Sequence, residues 1–199
     1  DGSRPGVYFA NLYDMKNMSK FNMQALAYHE GIPGHHMQIS IAQELENIPK
    51  FRLYGGFTVF NEGWALYSEA IPKELGFYTD PFSDFGRLAG ELYRACRLVV
   101  DTGIHAKKWS RERAIEYMNN NVPHSKNYNV RQIERYIVMP SQATAYKIGM
   151  IKIQELRELA ESSLGDRFDI RGFHDVVLKN GSVTMPILES NVKKWIKNQ

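Results

Sequence analysis

Three of the six histidines in the chain fall within the stretch Ala27-Tyr28-His29-Glu30-Gly31-Ile32-Pro33-Gly34-His35-His36-Met37-Gln38. Neutral imidazole is the commonest zinc ligand, and a zinc site that does chemistry offers about three protein ligands and an open position. A His-Glu pair followed closely by another His is near the H-E-x-x-H helix. In that helix two histidines one turn apart hold the metal, and the Glu between them is general base for a water on it. The spacing here is different. At about 100° per residue, His35 stands about 240° round from His29 on an ideal helix, and His36 returns to the face roughly 10 Å further along. Pro33 lacks an N–H, and Gly31 and Gly34 tolerate non-helical dihedrals. A bulge or break at Gly31–Gly34 is therefore the condition for a shared ion. Without it, the same residues read as a polar helix end with solvated histidines.

A second stretch bears on that choice, Phe60-Asn61-Glu62-Gly63-Trp64-Ala65-Leu66-Tyr67-Ser68-Glu69. Zinc hydrolases with a His, His, Glu set take the third ligand from a second helix packed beside the first. Glu62 lies far enough beyond His29 for one helix to end and another to begin. Glu62 and Glu69 share a helical face, and Ala65 and Ala70 are small enough for close helix packing. Taken alone, Glu62 also reads as a solvated helix carboxylate.

The elements that must position these groups are mostly helical. Val7-Tyr8-Phe9-Ala10-Asn11-Leu12-Tyr13 is the best strand candidate, rich in aromatics. Asn17-Met18-Ser19-Lys20 starts a helix over Phe21 to Tyr28 that runs into His29; His36 to Leu45 continues helical and Pro49 closes it. The helix carrying Glu62 runs to about Ile71, and Gly76 to Ser83 is a turn that ends one lobe. Phe85 to Trp109 reads as a long amphipathic helix, with Leu88, Leu92, Ala95, Val99 and Thr102 as its repeating stripe. Ser110 caps a helix to Asn119. Helices follow over Val130 to Met139, Ser141 to Ser162, Phe168 to Lys179 and Pro186 to Ile196. The fold class expected is mainly α with a small strand element near the N-terminus.

The 199 residues are 43% hydrophobic, enough for one substantial core or two small lobes, and the region 1–199 is read as a single unit. A net charge of +3 with both signs interspersed leaves no nucleic-acid footprint. The single cysteine, Cys96, excludes an internal disulfide framework and sits in a helix-like setting that suits a packed thiol. No run of eighteen apolar residues marks a membrane span.

Through these two stretches and others further along, the chain resembles the Domain of Unknown Function 885 family. That family consists of predicted zinc metallopeptidases related to the thermolysin-like, or gluzincin, group. The resemblance rests on His29-Glu30-Gly31-Ile32-Pro33-Gly34-His35-His36 and Asn61-Glu62-Gly63-Trp64-Ala65-Leu66-Tyr67. It extends through Tyr93-Arg94-Ala95-Cys96-Arg97-Leu98-Val99-Val100-Asp101-Thr102-Gly103-Ile104-His105 and Arg135-Tyr136-Ile137-Val138-Met139-Pro140-Ser141-Gln142-Ala143-Thr144-Ala145-Tyr146, and ends with Phe173-His174-Asp175-Val176-Val177-Leu178 and Asn180-Gly181. Ser141 stands where the family pattern has Gly. Members are much longer, so the chain resembles the C-terminal portion of one, with a missing N-terminal region as its partner.

The resemblance implies a zincin-like catalytic region. It makes His29, His35 and Glu62 the Zn2+ ligands and Glu30 the general base, with a peptide as substrate; His36 is the rival to His35. It also implies an edge strand beside the metal helix, a role that falls on Val7 to Tyr13. It places a late-helix Tyr or His as oxyanion donor. Tyr146 and His105 are the candidates, Tyr136 the runner-up, and the alternative for each is a buried side chain satisfied by a backbone carbonyl. Asp101 is a candidate acceptor for His105 or a ligand histidine, or else a partner for Arg97. Arg97 and Arg135 are candidates to fork a peptide carboxylate. Two other functions fit the same residues: a helical interaction or scaffold domain without chemistry, and a zinc hydrolase of non-peptide amides or esters. A location in the bacterial periplasm or cell envelope follows if the full-length protein carries a signal peptide.

Overall fold

The histidine-rich stretch folds as two short helices that meet at an angle, α1 (Met23–Glu30) and α2 (His35–Glu44), with Gly31 to Gly34 as the turn between them. The computed structural model describes residues 4–10, 12, 15, 18–46 and 48–199. After α2 come α3 (Lys50–Tyr54), α4 (Thr58–Ser68), α5 (Ile71–Glu74) and the long α6 (Pro81–Lys107). The chain then runs through α7 (Arg111–Asn121), α8 (Lys126–Val138), α9 (Gln142–Leu164), α10 (Ile170–Leu178) and α11 (Met185–Lys197).

Local chemistry sets most of these boundaries. Asp80 accepts hydrogen bonds from the N–H groups of Phe82 and Ser83 at the start of α6, where Pro81 occupies a position that needs no donor. Ser110, Ser125 and Asp169 cap α7, α8 and α10 in the same way. Each satisfies amide groups that the first turn of a helix leaves without a partner, an effect of about 1 kcal/mol per cap. Helix α6 closes on Lys108 in the left-handed region, with φ 54.

Two cores result. In one, Phe60, Trp64 and Tyr67 of α4 pack on Met150, Ile153 and Leu156 of α9, roofed by Phe173 and Val177 of α10 and Leu188 and Val192 of α11. The other joins Tyr93, Cys96 and Val100 of α6 to Ala114 and Met118 of α7 and to Ile133 and Tyr136 of α8. Helices α4 and α9 approach to backbone contact, because a Cβ on Gly63 would stand 2.5 Å from the Cα of Gly149. Only glycine allows that approach.

Two sequence expectations are corrected. There is no strand among the described residues: Val7 to Ala10 are irregular and exposed, and Asn11 and Tyr13 lie outside them. A lone extended segment gains strand character only from a neighbour that satisfies its backbone groups. The second correction concerns α6. Leu88, Leu92 and Val99 lie on its exposed side, while Ala89, Tyr93, Cys96, Arg97 and Val100 face the core. The helix carries two apolar stripes, and periodicity picked the outer one. No helix among the described residues is long and apolar enough to cross a membrane.

Candidate metal centre

The break between α1 and α2 is what returns His35 to His29. Gly31 caps α1 through its N–H to the carbonyl of Ala27, at 2.8 Å. Gly34 then presses on the end of α1, where a Cβ would overlap the carbonyl oxygens of Tyr28 and His29. Trp64 of α4 donates from Nε1 to the carbonyl of Pro33 at 2.9 Å and pins the turn to α4. The imidazoles of His29 and His35 end with ring centroids 4.9 Å apart and planes at 89°. The expected departure from helix is present, as a full turn between two helices.

Onto this pair α4 brings Glu62. One potential ligand atom from each of His29, His35 and Glu62 lies within 4.8 Å of the other two. Oε2 of Glu62 is 3.2 Å from Nε2 of His35 and 3.7 Å from Nε2 of His29. Metal–ligand bonds of 2.0–2.2 Å arranged tetrahedrally put ligand atoms about 3.3–3.6 Å apart, so these separations suit one ion.

The far side of each ring is also occupied. Nδ1 of His29 lies 2.8 Å from Oε1 of Glu69, which follows directly on α4 and is buried. An ionised carboxylate can only accept, so Nδ1 carries a proton toward Glu69, and Nε2 is the nitrogen left to face Glu62 and an ion. Arg94 of α6 holds the same Glu69 oxygen at 3.4 Å. His35 meets Oε1 of the buried Gln38 through its Nδ1 at 3.3 Å. Both histidines therefore turn Nε2 to the same point.

The charges are strongly coupled. Burial pushes the His29 imidazolium down, but hydrogen bonds to Glu62 and Glu69 outweigh it and raise its pKa above the ordinary value. Burial pushes the Glu62 carboxyl up, and hydrogen bonds and charge from His29 and His35 reverse that, holding it well below the usual carboxylate range. This carboxylate stays ionised.

Of the other residues singled out by sequence, Glu30 is the last residue of α1, directly after His29, and is exposed. His36 is also exposed; a Cβ on Gly6 would stand 2.7 Å from its Nδ1. Tyr146 of α9 stacks near His29, with centroids 6.2 Å apart and planes at 20°, and its hydroxyl accepts from Gln142. His105 lies elsewhere on α6, its Nε2 2.9 Å from the carbonyl oxygen of Tyr136, which is the satisfied-histidine alternative. Tyr136 bonds Tyr93 through its hydroxyl in the α6–α8 core. Asp101 accepts the N–H of Ser141 on both oxygens at 3.2 Å and pairs with neither His105 nor Arg97. Arg135 is exposed, whereas Arg97 is buried against Tyr146. Sequence reading missed the role of Glu69. Its seven-residue step from Glu62 was the available signal, but the partner across the gap was not visible.

The fold and the site together define a class: a mainly helical protein whose two short helices and a third converge a His, His, Glu cluster backed by a buried carboxylate. The chain belongs to the family described as "Bacterial protein of unknown function (DUF885)", whose model matches residues 1–192. It is similar in structure to the "putative lipoprotein" of Colwellia psychrerythraea, at 50% identity and a TM-score of 0.96. That match covers 100% of this chain and 34% of the other. It is also similar to a "putative lipoprotein of unknown function" from Shewanella oneidensis, at 25% identity and a TM-score of 0.83, over 96% of this chain and 36% of that one. The chain thus spans about a third of the length of these two relatives. No curated protein matches.

Proposed function

We propose that this chain is the catalytic region of a zinc-dependent metallopeptidase of gluzincin type. The observation that carries the reading is the pairing of His29 Nδ1 with Glu69 Oε1 at 2.8 Å while Nε2 faces Glu62. A metal-ligating histidine almost always gives its other N–H to a carboxylate or carbonyl, which fixes the tautomer and makes the ring a better donor. Two imidazoles and one carboxylate form a borderline-soft donor set that suits Zn2+, and the protein supplies three ligands, as catalytic zinc sites do.

His29, His35 and Glu62 would hold the ion. When bound, zinc lowers the pKa of water and polarises a carbonyl. The chain's own groups do the rest. Glu30, next to the first ligand and open to solvent, takes a proton from the attacking water and returns it to the leaving amine. Tyr146, whose ring stacks beside His29, would donate to the developing oxyanion. Glu69 and Arg94 keep His29 in orientation. The substrate is a peptide, and the lipoprotein descriptions of the two relatives support a cell-envelope setting.

Zinc titration with elemental analysis tests this reading. One zinc per chain is expected, lost in His29→Ala, His35→Ala and Glu62→Ala and retained in His36→Ala. Glu30→Gln keeps the metal and loses peptide hydrolysis. A chain that binds no stoichiometric zinc is a helical scaffold instead, and hydrolysis confined to esters or non-peptide amides would move the substrate class.

A further inference from the structure

Arg97 is buried with its charge unanswered. The residue is only 6% exposed, and among the described residues no carboxylate lies within ion-pair distance of it. Asp101, one turn further along α6, spends both oxygens on the Ser141 N–H. Of the five guanidinium donors, Nη2 reaches Oε1 of Gln142 at 3.1 Å, and the buried Nε has no partner. Three tyrosine rings surround the group, with its carbon 4.2 Å from the centroid of Tyr146, 5.3 Å from Tyr136 and 5.5 Å from Tyr93. Aromatic faces offset part of the cost of burying a cation, but they satisfy no N–H. A guanidinium fork with free donors in a low-dielectric setting matches a carboxylate.

Its place relative to the candidate metal centre gives the fork a purpose. Tyr146 is the shared wall, with Arg97 against its ring and His29 stacked 6.2 Å away. The two separations put the guanidinium carbon no more than about 10 Å from the His29 ring. One extended residue spans about 3.3–3.6 Å, and a metal–oxygen bond and an arginine–carboxylate hydrogen bond add about 2 Å and 2.8 Å. A carbonyl at the metal and a carboxylate one residue further on bridge a gap of that size. Arg94 adds positive charge nearby, since its guanidinium carbon is 5.9 Å from the same ring and its carboxylate partner Glu69 is already shared with His29.

We propose that Arg97 anchors the free C-terminal carboxylate of the substrate, so that the enzyme removes C-terminal residues. This deepens the metallopeptidase reading and rests on it. Arg97 is then a specificity-determining residue, and Tyr146 sets its distance from the reacting carbonyl.

The test is calorimetric binding of N-acetylphenylalanine, its amide, and N-acetylaspartate α-amide to the metal-free protein, so that zinc contributes nothing to carboxylate affinity. The wild type is expected to bind the free acid about tenfold or more tightly than the amide, the contribution of a charge-assisted fork. Arg97→Met should abolish that difference, and Arg97→Lys, which keeps charge without the fork, should retain only part of it. Equal wild-type binding of acid and amide overturns the proposal without any folded variant being needed. A preference that survives in Arg97→Met, or one shown for the aspartate side chain over the terminal carboxylate, overturns it as well. Zinc titration of the same preparations separates the two readings. Loss of zinc binding everywhere sinks the metallopeptidase reading, while Arg97→Met is expected to leave zinc affinity unchanged.

Discussion

At the scale of single residues, Glu69 has the most to say about how the cluster works. It lies behind His29 and holds a proton on Nδ1, so that Nε2 is the nitrogen turned to the cluster. Its buried carboxylate lies between His29 and Arg94, and Arg94 offsets the charge that would otherwise be left in the interior. Removing the charge while keeping the shape isolates this effect. Glu69→Gln should fold and weaken zinc binding by about 10–100-fold, the usual cost of losing a partner behind a ligand histidine. Competition titration with a chromogenic chelator measures it, and an unchanged affinity would show that Glu69 only fills space.

At the scale of elements, the turn from α1 to α2 does the positioning. Histidines six apart face different directions on one helix, so each is placed on its own helix and the joint is folded until the rings meet. Gly34 makes that joint possible by lying where any Cβ would strike the carbonyls of Tyr28 and His29. Gly34→Ala should therefore cost about 2–4 kcal/mol, the range for a backbone clash in a packed region, and should also lose zinc. Urea denaturation and metal titration report the two losses. Wild-type stability with intact zinc binding would mean that the turn relaxes freely. Helix α6 carries a different lesson. Its inner stripe is mixed, with Arg97 and Asp101 beside Tyr93 and Val100, while its outer one includes Leu88 and Leu92. A hydrophobic count favours the outer stripe, but the inner one is the side that packs against α7 and α8.

At the scale of the whole molecule, α4, α9 and α10 are tied behind the cluster by a polar network. Arg157 of α9 grips Glu74 with two bonds of 2.8 Å and 2.9 Å and donates to the hydroxyl of Tyr67 at 3.2 Å. The Tyr67 hydroxyl, free to donate its own hydrogen, lies 2.9 Å from Nε2 of His174 on α10, a pairing that suits a neutral ring there. Burial, with the Arg157 charge, pushes His174 down to about 4 from 6.5. An unfolded chain therefore binds more protons at this site between those values, and the His174 contribution to stability is complete above pH 6.5 and falls as the pH drops toward 4. His29, with its raised pKa, titrates above this window. For the metal-free protein the loss attributable to His174 is on the order of 2 kcal/mol between pH 6.5 and 4.5, and His174→Gln should flatten that part of the profile. Urea melts at the two pH values supply the comparison. An equal slope in wild type and variant would show that His174 titrates normally.

The sequence by itself determined the helical class and the cap at Ser110, and its resemblance to the family pointed to His29, His35 and Glu62 as one candidate cluster. The class and the cap follow from residue type and local spacing, because caps and breaks involve neighbours within a few positions. Tertiary structure decided the rest. It put Glu69 rather than Asp101 behind His29, sent His105 to the carbonyl of Tyr136, and left Arg97 without a carboxylate among the described residues. It also turned the expected stripe of α6 outward and left Val7 to Ala10 unpaired. Each of these outcomes depends on which helix lies across the gap. For α4 and α9 the approach is as close as the backbone contact between Gly63 and Gly149, two residues far apart in the chain.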